Sequence, residues 1–165
     1  MSIENQRSLC FDDLVIGTQF VSTGRTVTDA DIELFAGLSG DFTRIHLDEE
    51  YGRRGQFGGR VAHGALALSI ATGLITQMGV TQDTAMALLE ISVRFTAPVR
   101  IGDTIHVEQS VKEKKVTSKP DRGIVTFEFS VVNQSGGTVL TGSEKVMVCT
   151  RAAREATRQP GVGQG

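Results

Sequence analysis

The chain has 165 residues, of which 39% are hydrophobic and 22% charged, a composition that suits one globular domain and excludes a disordered chain. The net charge of −2 would attract neither nucleic acid nor an anionic membrane, so we expect neither as a partner. The two cysteines, Cys10 and Cys149, form no metal-binding or disulfide pattern, which favours a reducing, cytoplasmic compartment. The first six residues lack the basic start and apolar run of a secretory signal.

The first predicted elements are a strand and a capped helix. Residues 18–26 are predicted as the strand. Thr28 and Asp31 then have the spacing of a capping box at a helix start. The helix that follows takes its apolar faces from Ile32, Leu34, Phe35 and Leu38.

A polar, glycine-rich stretch covers 40–59, and twenty residues without a formal charge follow at 61–80. A short helix is predicted over 47–52, with Asp48 as its cap. The charge-free segment is long enough to span a bilayer, but polar residues and glycines interrupt it. We therefore predict a helix covered by protein on most sides, whose small residues let a sheet approach closely.

Beyond residue 90 the hydrophobic period changes to two. The apolar positions are Ile91, Val93, Phe95 and Ala97; Ile105, Val107 and Val111; Val125, Phe127, Phe129 and Val131; and Val146 and Val148. Such alternation predicts four strands with one covered face, running as a meander. An antiparallel sheet wrapped around the long helix, an α+β fold, covers both apolar surfaces. Residues 152–165 are predicted to form a flexible C-terminal tail.

The main chemical signal is a carboxylate and an imidazole five residues apart, Asp41 and His46, followed by Gly64 at the start of the charge-free helix. Asp and His side chains can exchange protons near neutral pH when their surroundings tune them. A backbone N–H at a helix start carries partial positive charge that suits a developing oxyanion. Each residue alone could be structural, Asp41 as a turn cap and His46 as a satisfied polar residue. Together they favour an acid/base site.

Several motifs stand in order along the chain: 38–48, Phe57-Gly58, Val61-Ala62-His63-Gly64, Arg94-Phe95, Pro98-Val99 and Gly102-Asp103-Thr104. Together they resemble the MaoC-like, R-specific enoyl-CoA hydratases over about residues 10–150. The resemblance implies the hot-dog fold in a single domain, which we place at 1–151. It also implies a lyase of fatty acid metabolism that adds water reversibly to a trans-2-enoyl-CoA, giving a 3-hydroxyacyl thioester.

The same resemblance implies roles for individual residues. Asp41 and His46 would bind and activate water, and the Gly64 amide would polarise the thioester. The implied substrate-binding residues are Thr43, Arg44, Phe57, His63 and Thr72. No metal or separate cofactor is implied, since coenzyme A is part of the substrate. An open sheet edge invites pairing, and the resemblance implies a homodimer, a dimer of dimers or a larger assembly.

The chain departs from the family pattern between Asp41 and His46, where Thr43 and Arg44 replace the usual Asn-Pro. Thr43 can still form hydrogen bonds, while the loss of proline leaves the loop less rigid. Arg44 could recognise a carboxylate on the acyl group. Pairing of Arg44 with a nearby glutamate is the interpretation that we favour.

The remaining candidates have structural interpretations. His63 is expected to shape the turn before the helix, and His106 to face solvent. Two basic clusters could meet the phosphates of coenzyme A, although solvated charged faces are favoured. Their residues are Arg53, Arg54 and Arg60, and Lys112, Lys114, Lys115, Lys119 and Arg122.

Two alternative functions remain open. One is a hot-dog acyl-CoA thioesterase, which often carries its carboxylate on the long helix; no Asp or Glu lies between Val61 and Gln82. The other is a non-catalytic module that binds acyl thioesters, which would keep its ligand after loss of Asp41 and His46.

Overall fold

The structure is a computed structural model that describes residues 7–158. The helices in this part of the chain are α1 (Asp29–Ser39), α2 (Arg44–Leu47), α3 (Glu49–Arg54), α4 (Gly64–Gln77) and α5 (Arg151–Arg158). The strands are β1 (Gln19–Val21), β2 (Arg25–Thr26), β3 (Ala85–Phe95), β4 (Thr104–Val116), β5 (Arg122–Asn133) and β6 (Thr138–Cys149).

Helix α1 begins where the sequence predicts. The Thr28 hydroxyl accepts the Asp31 N–H, and the Asp31 carboxylate accepts the Thr28 N–H in return, which completes a capping box. The helix ends at Gly40, whose φ of 76° lies in the left-handed region that glycine adopts without strain. Its N–H donates to the Ala36 carbonyl at 2.8 Å. Asp41 therefore follows directly on a defined turn.

Two predicted elements are divided in the structure. The predicted strand 18–26 is β1 and β2, both antiparallel to β4. Between them the Ser22 hydroxyl accepts the Val107 N–H at 2.8 Å, so a side chain takes the place of a backbone partner. The predicted helix 47–52 is α2 and α3. It is divided at Asp48, which caps α3 as predicted by accepting the Tyr51 N–H at 2.9 Å.

Helix α4 starts at Gly64, as predicted, and buries one face against the sheet. That face carries Leu66, Ala67, Ile70, Ala71 and Leu74, which join strand residues in the main core. The other face is exposed and carries Ala65, Ser69, Thr72 and Thr76. The sequence predicts that the helix is covered by protein on most sides, but within this chain it is covered on one side only. Within residues 7–158, no helix has the length and apolarity that crossing a bilayer requires.

The sheet has the order β1-β4-β5-β6-β3, with every pair antiparallel and β2 also paired to β4. Strands β4, β5 and β6 form the predicted meander. The prediction that all four long strands form a meander is wrong, because β3 pairs with β6 at the far edge instead of with β4. The antiparallel sheet around α4 is the predicted α+β arrangement.

The connection from β3 to β4 accounts for the altered order. It crosses near the start of α4, where the Val99 carbonyl accepts the Ala62 N–H at 2.8 Å and Arg100 forms a bridge with Val61. At the end of β3, the Thr96 N–H donates to the Val139 carbonyl at 3.0 Å. These contacts fix β3 beside β6 before the chain returns to start β4.

Strand β3 leaves its outer edge open. Its large apolar side chains are exposed (Met86, Leu88, Leu89, Ile91 and Phe95), and Val93 is half-buried against the core. The alternation that predicts a covered face is therefore present in the sequence of β3, but within one chain that face is mostly uncovered.

The inner face of the sheet also carries a buried polar pair. Gln109 donates through Nε2 to Glu144 Oε1 at 2.9 Å, and both side chains are buried. The pair lies at the boundary between two apolar clusters, one around α4 and one around Phe127. Burial raises the pKa of Glu144 above its ordinary value, and the hydrogen bond from Gln109 opposes that shift.

The C-terminal segment differs from the predicted flexible tail 152–165. Its first part belongs to α5, whose start is held by residues from the opposite end of the chain. The Asp12 carboxylate accepts the Arg151 N–H at 2.8 Å, Asp13 pairs with the Arg151 guanidinium, and Arg154 donates to the Ser8 carbonyl at 2.5 Å. Residues 159–165 lie outside the described part of the chain.

Candidate active site

His46 lies in α2 with one ring nitrogen committed to the backbone. Its Nδ1 lies 2.8 Å from the Val61 carbonyl oxygen. A carbonyl oxygen only accepts hydrogen bonds, so Nδ1 carries the proton and donates. The other nitrogen, Nε2, is then the basic one in the neutral ring. Because the ring is half-buried, this nitrogen can meet a small molecule.

Asp41 lies in the turn between α1 and α2, and Thr43 binds its carboxylate twice. The Thr43 hydroxyl donates to Asp41 Oδ1 at 2.5 Å, and the Thr43 N–H donates to the same oxygen at 3.1 Å. These hydrogen bonds, the hydroxyl first, lower the pKa of Asp41 below its ordinary value, with smaller contributions from His63 and His46. Asp41 is therefore a carboxylate at neutral pH.

Gly64 is the first residue of α4, where N–H groups have no partner within the helix. The residue before it, His63, makes no side-chain capping bond to this helix end. A Cβ at Gly64 would lie 3.0 to 3.3 Å from ring atoms of Phe95. Glycine is thus the residue that lets the Phe95 ring lie against the helix start.

His46 and Gly64 line the same cavity, which has a volume of about 420 Å³. Its walls are mostly apolar and consist of Ile45, His46, Phe57, Val61, Ala62, Gly64, Ala67, Phe95, Thr96, Ala97, Pro98, Val99 and Val139. Asp41 is not on this wall but stands beside it, since one carboxylate oxygen and one nitrogen from each of His46 and His63 lie within 4.8 Å of one another. The fold therefore brings the predicted carboxylate, imidazole and helix-end amide together.

His63 lies behind His46 and not on the cavity wall, which differs from its predicted place among substrate-binding residues. Its side chain is 2% exposed, and its Nε2–H donates to the Asp41 main-chain carbonyl at 2.9 Å. The rings of His46 and His63 stack with centroids 3.8 Å apart. A substrate in the cavity would meet His46 first.

Of the other predicted substrate-binding residues, only Phe57 lines the cavity, and Thr43, Arg44 and Thr72 lie elsewhere. Thr43 contacts Asp41. Arg44 pairs with Asp48 at 2.8 Å and lies over the Tyr51 ring; this pairing supports a structural role, although the partner is Asp48 and not the expected glutamate. The exposed hydroxyl of Thr72 donates to the Leu68 carbonyl and does not line the cavity.

Sequence reasoning missed most of the cavity wall, and Phe95 and Val139 show why. Phe95 was recognised only as part of a motif, and Val139 carried no signal. Both reach the cavity because β3 pairs with β6, a contact between segments far apart in sequence. Only knowledge of that pairing could have identified them.

Most side chains of the two basic clusters form ion pairs or hydrogen bonds with other residues of the chain. Arg60 pairs with Asp29 and Glu49, and the other arginines of its cluster pair with glutamates on α3. In the second cluster Lys112 pairs with Glu128 at 3.2 Å, and Lys114 donates to the Leu14 carbonyl at 2.6 Å. These contacts support the solvated charged faces favoured above.

Asp41, His46 and His63 are also the group that could hold a metal ion by proximity in the described residues. The geometry argues against binding by both rings. Metals bind imidazole nitrogens in the ring plane at about 2.0–2.1 Å. The two rings are stacked, with centroids 3.8 Å apart and planes inclined by 28°. Their planes therefore intersect farther from the ring nitrogens than a metal–nitrogen bond can reach, and one ion cannot lie in both planes.

A family model described as "MaoC like domain" matches residues 13–133. An (R)-specific enoyl-CoA hydratase of Rhodospirillum rubrum is 34% identical over 143 residues, or 86% of this chain and 92% of that protein. Protein MaoC of Klebsiella aerogenes is 40% identical over 106 residues, or 64% of this chain. The match spans only 31% of the Klebsiella protein's length.

Solved structures agree with these sequence matches. A monoamine oxidase regulatory protein from Archaeoglobus fulgius has a TM-score of 0.82 and 36% identity to this chain. The superposition covers 87% of this chain and 96% of that one. The likeness thus extends over most of both chains.

Proposed function

Because this chain belongs to the family of MaoC-like domains and has the hot-dog fold, we propose that it is a hydratase/dehydratase acting on enoyl thioesters. The reaction is the reversible addition of water to the double bond of a trans-2-enoyl-CoA. The observation that carries the proposal is the shared cavity, whose wall includes both His46, with its Nδ1 committed to the Val61 carbonyl, and Gly64, the first residue of α4.

In the hydration direction, Asp41 and His46 hold the water between the carboxylate and Nε2. As the water oxygen bonds to the β-carbon, the proton that the water loses goes to the pair formed by Asp41 and His46. The same pair delivers one proton to the α-carbon, so the site returns to its starting protonation state. The negative charge on the thioester oxygen is stabilised by the Gly64 N–H, a contribution of about 3 kcal/mol for such a donor in a dry site. The apolar walls exclude other water and accommodate the acyl chain.

The first experiment follows the absorbance of crotonyl-CoA. We expect the wild type to consume it, and we expect Asp41→Asn and His46→Gln each to abolish the reaction because either change removes a proton-transfer group. His106→Gln is the matched control, since His106 lies on β4 with Glu108 as its partner at 3.6 Å. Persistence of turnover in both site variants would contradict the proposal, and chiral analysis of the product tests whether it has R configuration.

The two alternative functions predict different results. A thioesterase would release free thiol from a saturated acyl-CoA, but α4 carries no carboxylate to support hydrolysis. A binding module would retain its ligand in both site variants and show no turnover in the wild type. The absence of thiol release, together with loss of crotonyl-CoA absorbance, would separate the hydratase from both.

The partners follow from the same proposal. The substrate is an acyl-CoA thioester, with coenzyme A entering and leaving as part of it. A homodimer would cover the exposed apolar side chains of β3. The cytoplasmic location inferred from the two cysteines stays a prediction.

A further inference from the structure

His63 is tied to all three groups of the proposed mechanism. Its Nε2–H donates to the Asp41 carbonyl at 2.9 Å. Its ring stacks on the His46 ring, with centroids 3.8 Å apart and planes 28° apart. Its own carbonyl carbon is bonded to the Gly64 nitrogen, so the proposed oxyanion donor belongs to the His63–Gly64 peptide group.

The imidazole of His63 is itself firmly held. The side chain is 2% exposed, and the Phe35 ring packs against it at a centroid distance of 5.0 Å and a tilt of 53°. Its Nδ1 is buried with no partner among residues 7–158, so the Asp41 carbonyl is the hydrogen-bond partner that orients the ring there. Since that carbonyl only accepts, Nε2 carries the proton.

His63 has no other visible role at this position. It precedes α4 but makes no side-chain bond to the helix end, and it does not line the cavity. A residue that only shaped the turn could be small and polar. The ring instead contacts two residues of the proposed site, Asp41 in the turn after α1 and His46 in α2.

We propose that His63 is a positioning residue that fixes Asp41, His46 and the Gly64 amide relative to one another. This inference rests on the proposed function, because it concerns the alignment of the same three groups. The hydrogen bond from His63 Nε2 fixes the position of the Asp41 main chain. The stacking of the two rings fixes the orientation of the His46 ring and therefore of its Nε2. A displacement of about 1 Å between reacting groups can reduce a rate about 100-fold.

Two substitutions separate the two contacts. His63→Gln places an amide N–H near the position of Nε2 and so keeps a donor for Asp41, but it removes the stacked ring. His63→Phe keeps the ring and removes the donor. We expect each to lower kcat by about 10- to 100-fold with little change in KM, because the side chain of residue 63 does not line the cavity. His106→Gln and His106→Phe are the matched controls and are expected to keep wild-type kcat.

Thermal melting and nitrogen-15 spectra of the His46 ring provide readouts that do not depend on activity. A variant that melts near the wild-type temperature but has altered His46 ring signals and reduced kcat supports positioning. Unchanged kcat and unchanged ring signals in folded His63→Gln and His63→Phe would overturn it, as would an effect confined to KM. If the wild type turned over no enoyl-CoA, the proposed function would fail, and the His46 ring signals alone would then decide whether His63 orients that ring.

Discussion

Asp41 is held in its ionised form by a neighbouring hydroxyl and a backbone N–H, both from Thr43. Thr43 is one of the two residues that replace the usual Asn-Pro of the family pattern. Its short side chain reaches back two residues to the carboxylate, which an ST- or Asx-type turn favours. With Thr43 in place of the usual asparagine, Asp41 therefore keeps a polar partner, and that partner is only two residues away in the sequence.

The first prediction concerns the pH dependence of activity. Removing the Thr43 hydroxyl in Thr43→Val takes away the largest cause of the lowered pKa of Asp41, so that pKa should rise towards its ordinary value. We expect the acid limb of kcat/KM to move to higher pH, since Asp41 is then protonated at a higher pH. Thr43→Ser keeps the hydroxyl and should keep the wild-type limb; identical profiles for all three proteins would contradict this role.

The second prediction concerns Gly64. In Gly64→Ala the new methyl meets the Phe95 ring, and that ring, 53% exposed, yields more easily than the helix. We expect the ring to move into the cavity and kcat/KM to fall by up to about 100-fold, with little loss in melting temperature. Gly73→Ala is the control in the same helix, because nothing lies within 4 Å of its added Cβ. Equal activity of the two variants would show that the approach of Phe95 is unimportant.

At the scale of elements, the sequence predicts well what is decided locally. The cap of α1 at Thr28 and the start of α4 at Gly64 depend on neighbouring residues and appear as predicted. The helix α5 and the position of β3 depend on partners far along the chain, Asp12 for α5 and β6 for β3. No local pattern carries that information, so the sequence predicts neither α5 nor the pairing of β3 with β6.

The sheet carries a third prediction, at the buried pair of Gln109 and Glu144. Because burial raises the pKa of Glu144 in the folded protein, its contribution favours folding at low pH and is lost as pH rises through that pKa. Glu144→Gln keeps an acceptor for Gln109 without a charge. We expect a higher melting temperature than wild type at pH 7, by a few degrees, and a difference that disappears towards pH 4.

The control for this prediction is Glu128→Gln. Glu128 is exposed and pairs with Lys112 at the surface, where an ion pair contributes little to stability. Its melting temperature should therefore stay near that of the wild type at both pH values. A Glu144→Gln protein that is less stable than wild type at pH 7 would show instead that the fold needs the charged carboxylate.

At the scale of the whole molecule, the most notable surface is β3, an edge strand that exposes apolar side chains. Five large apolar side chains are exposed along this strand. The alternation of apolar and polar residues in β3 predicts that its apolar face is covered. Within one chain, that face is exposed. A second copy of the chain would supply the cover that the pattern predicts, which is the homodimer proposed above.

The fourth prediction tests that assembly by light scattering after gel filtration. Wild type should have the mass of a dimer, and Leu88→Lys should shift it towards the monomer, since a charge on an exposed edge strand opposes pairing. Val116→Lys is the control, because Val116 is 76% exposed at the end of β4, away from the open edge. A wild-type monomer at micromolar concentration, or a Leu88→Lys dimer, would exclude β3 as the interface.

The place of β3 beside β6 also has a consequence for how the protein is made. His46 and Gly64 leave the ribosome before β6, the strand that pairs with β3 and so supports Phe95, because β6 is the last strand of the sheet along the chain. Until β6 has emerged, Phe95 has no neighbouring strand and the cavity lacks the wall formed by Val139. We therefore expect the growing chain to lack part of the cavity wall until β6 has emerged, and a chain that stops before Thr138 would carry Asp41, His46 and Gly64 without the wall formed by Val139.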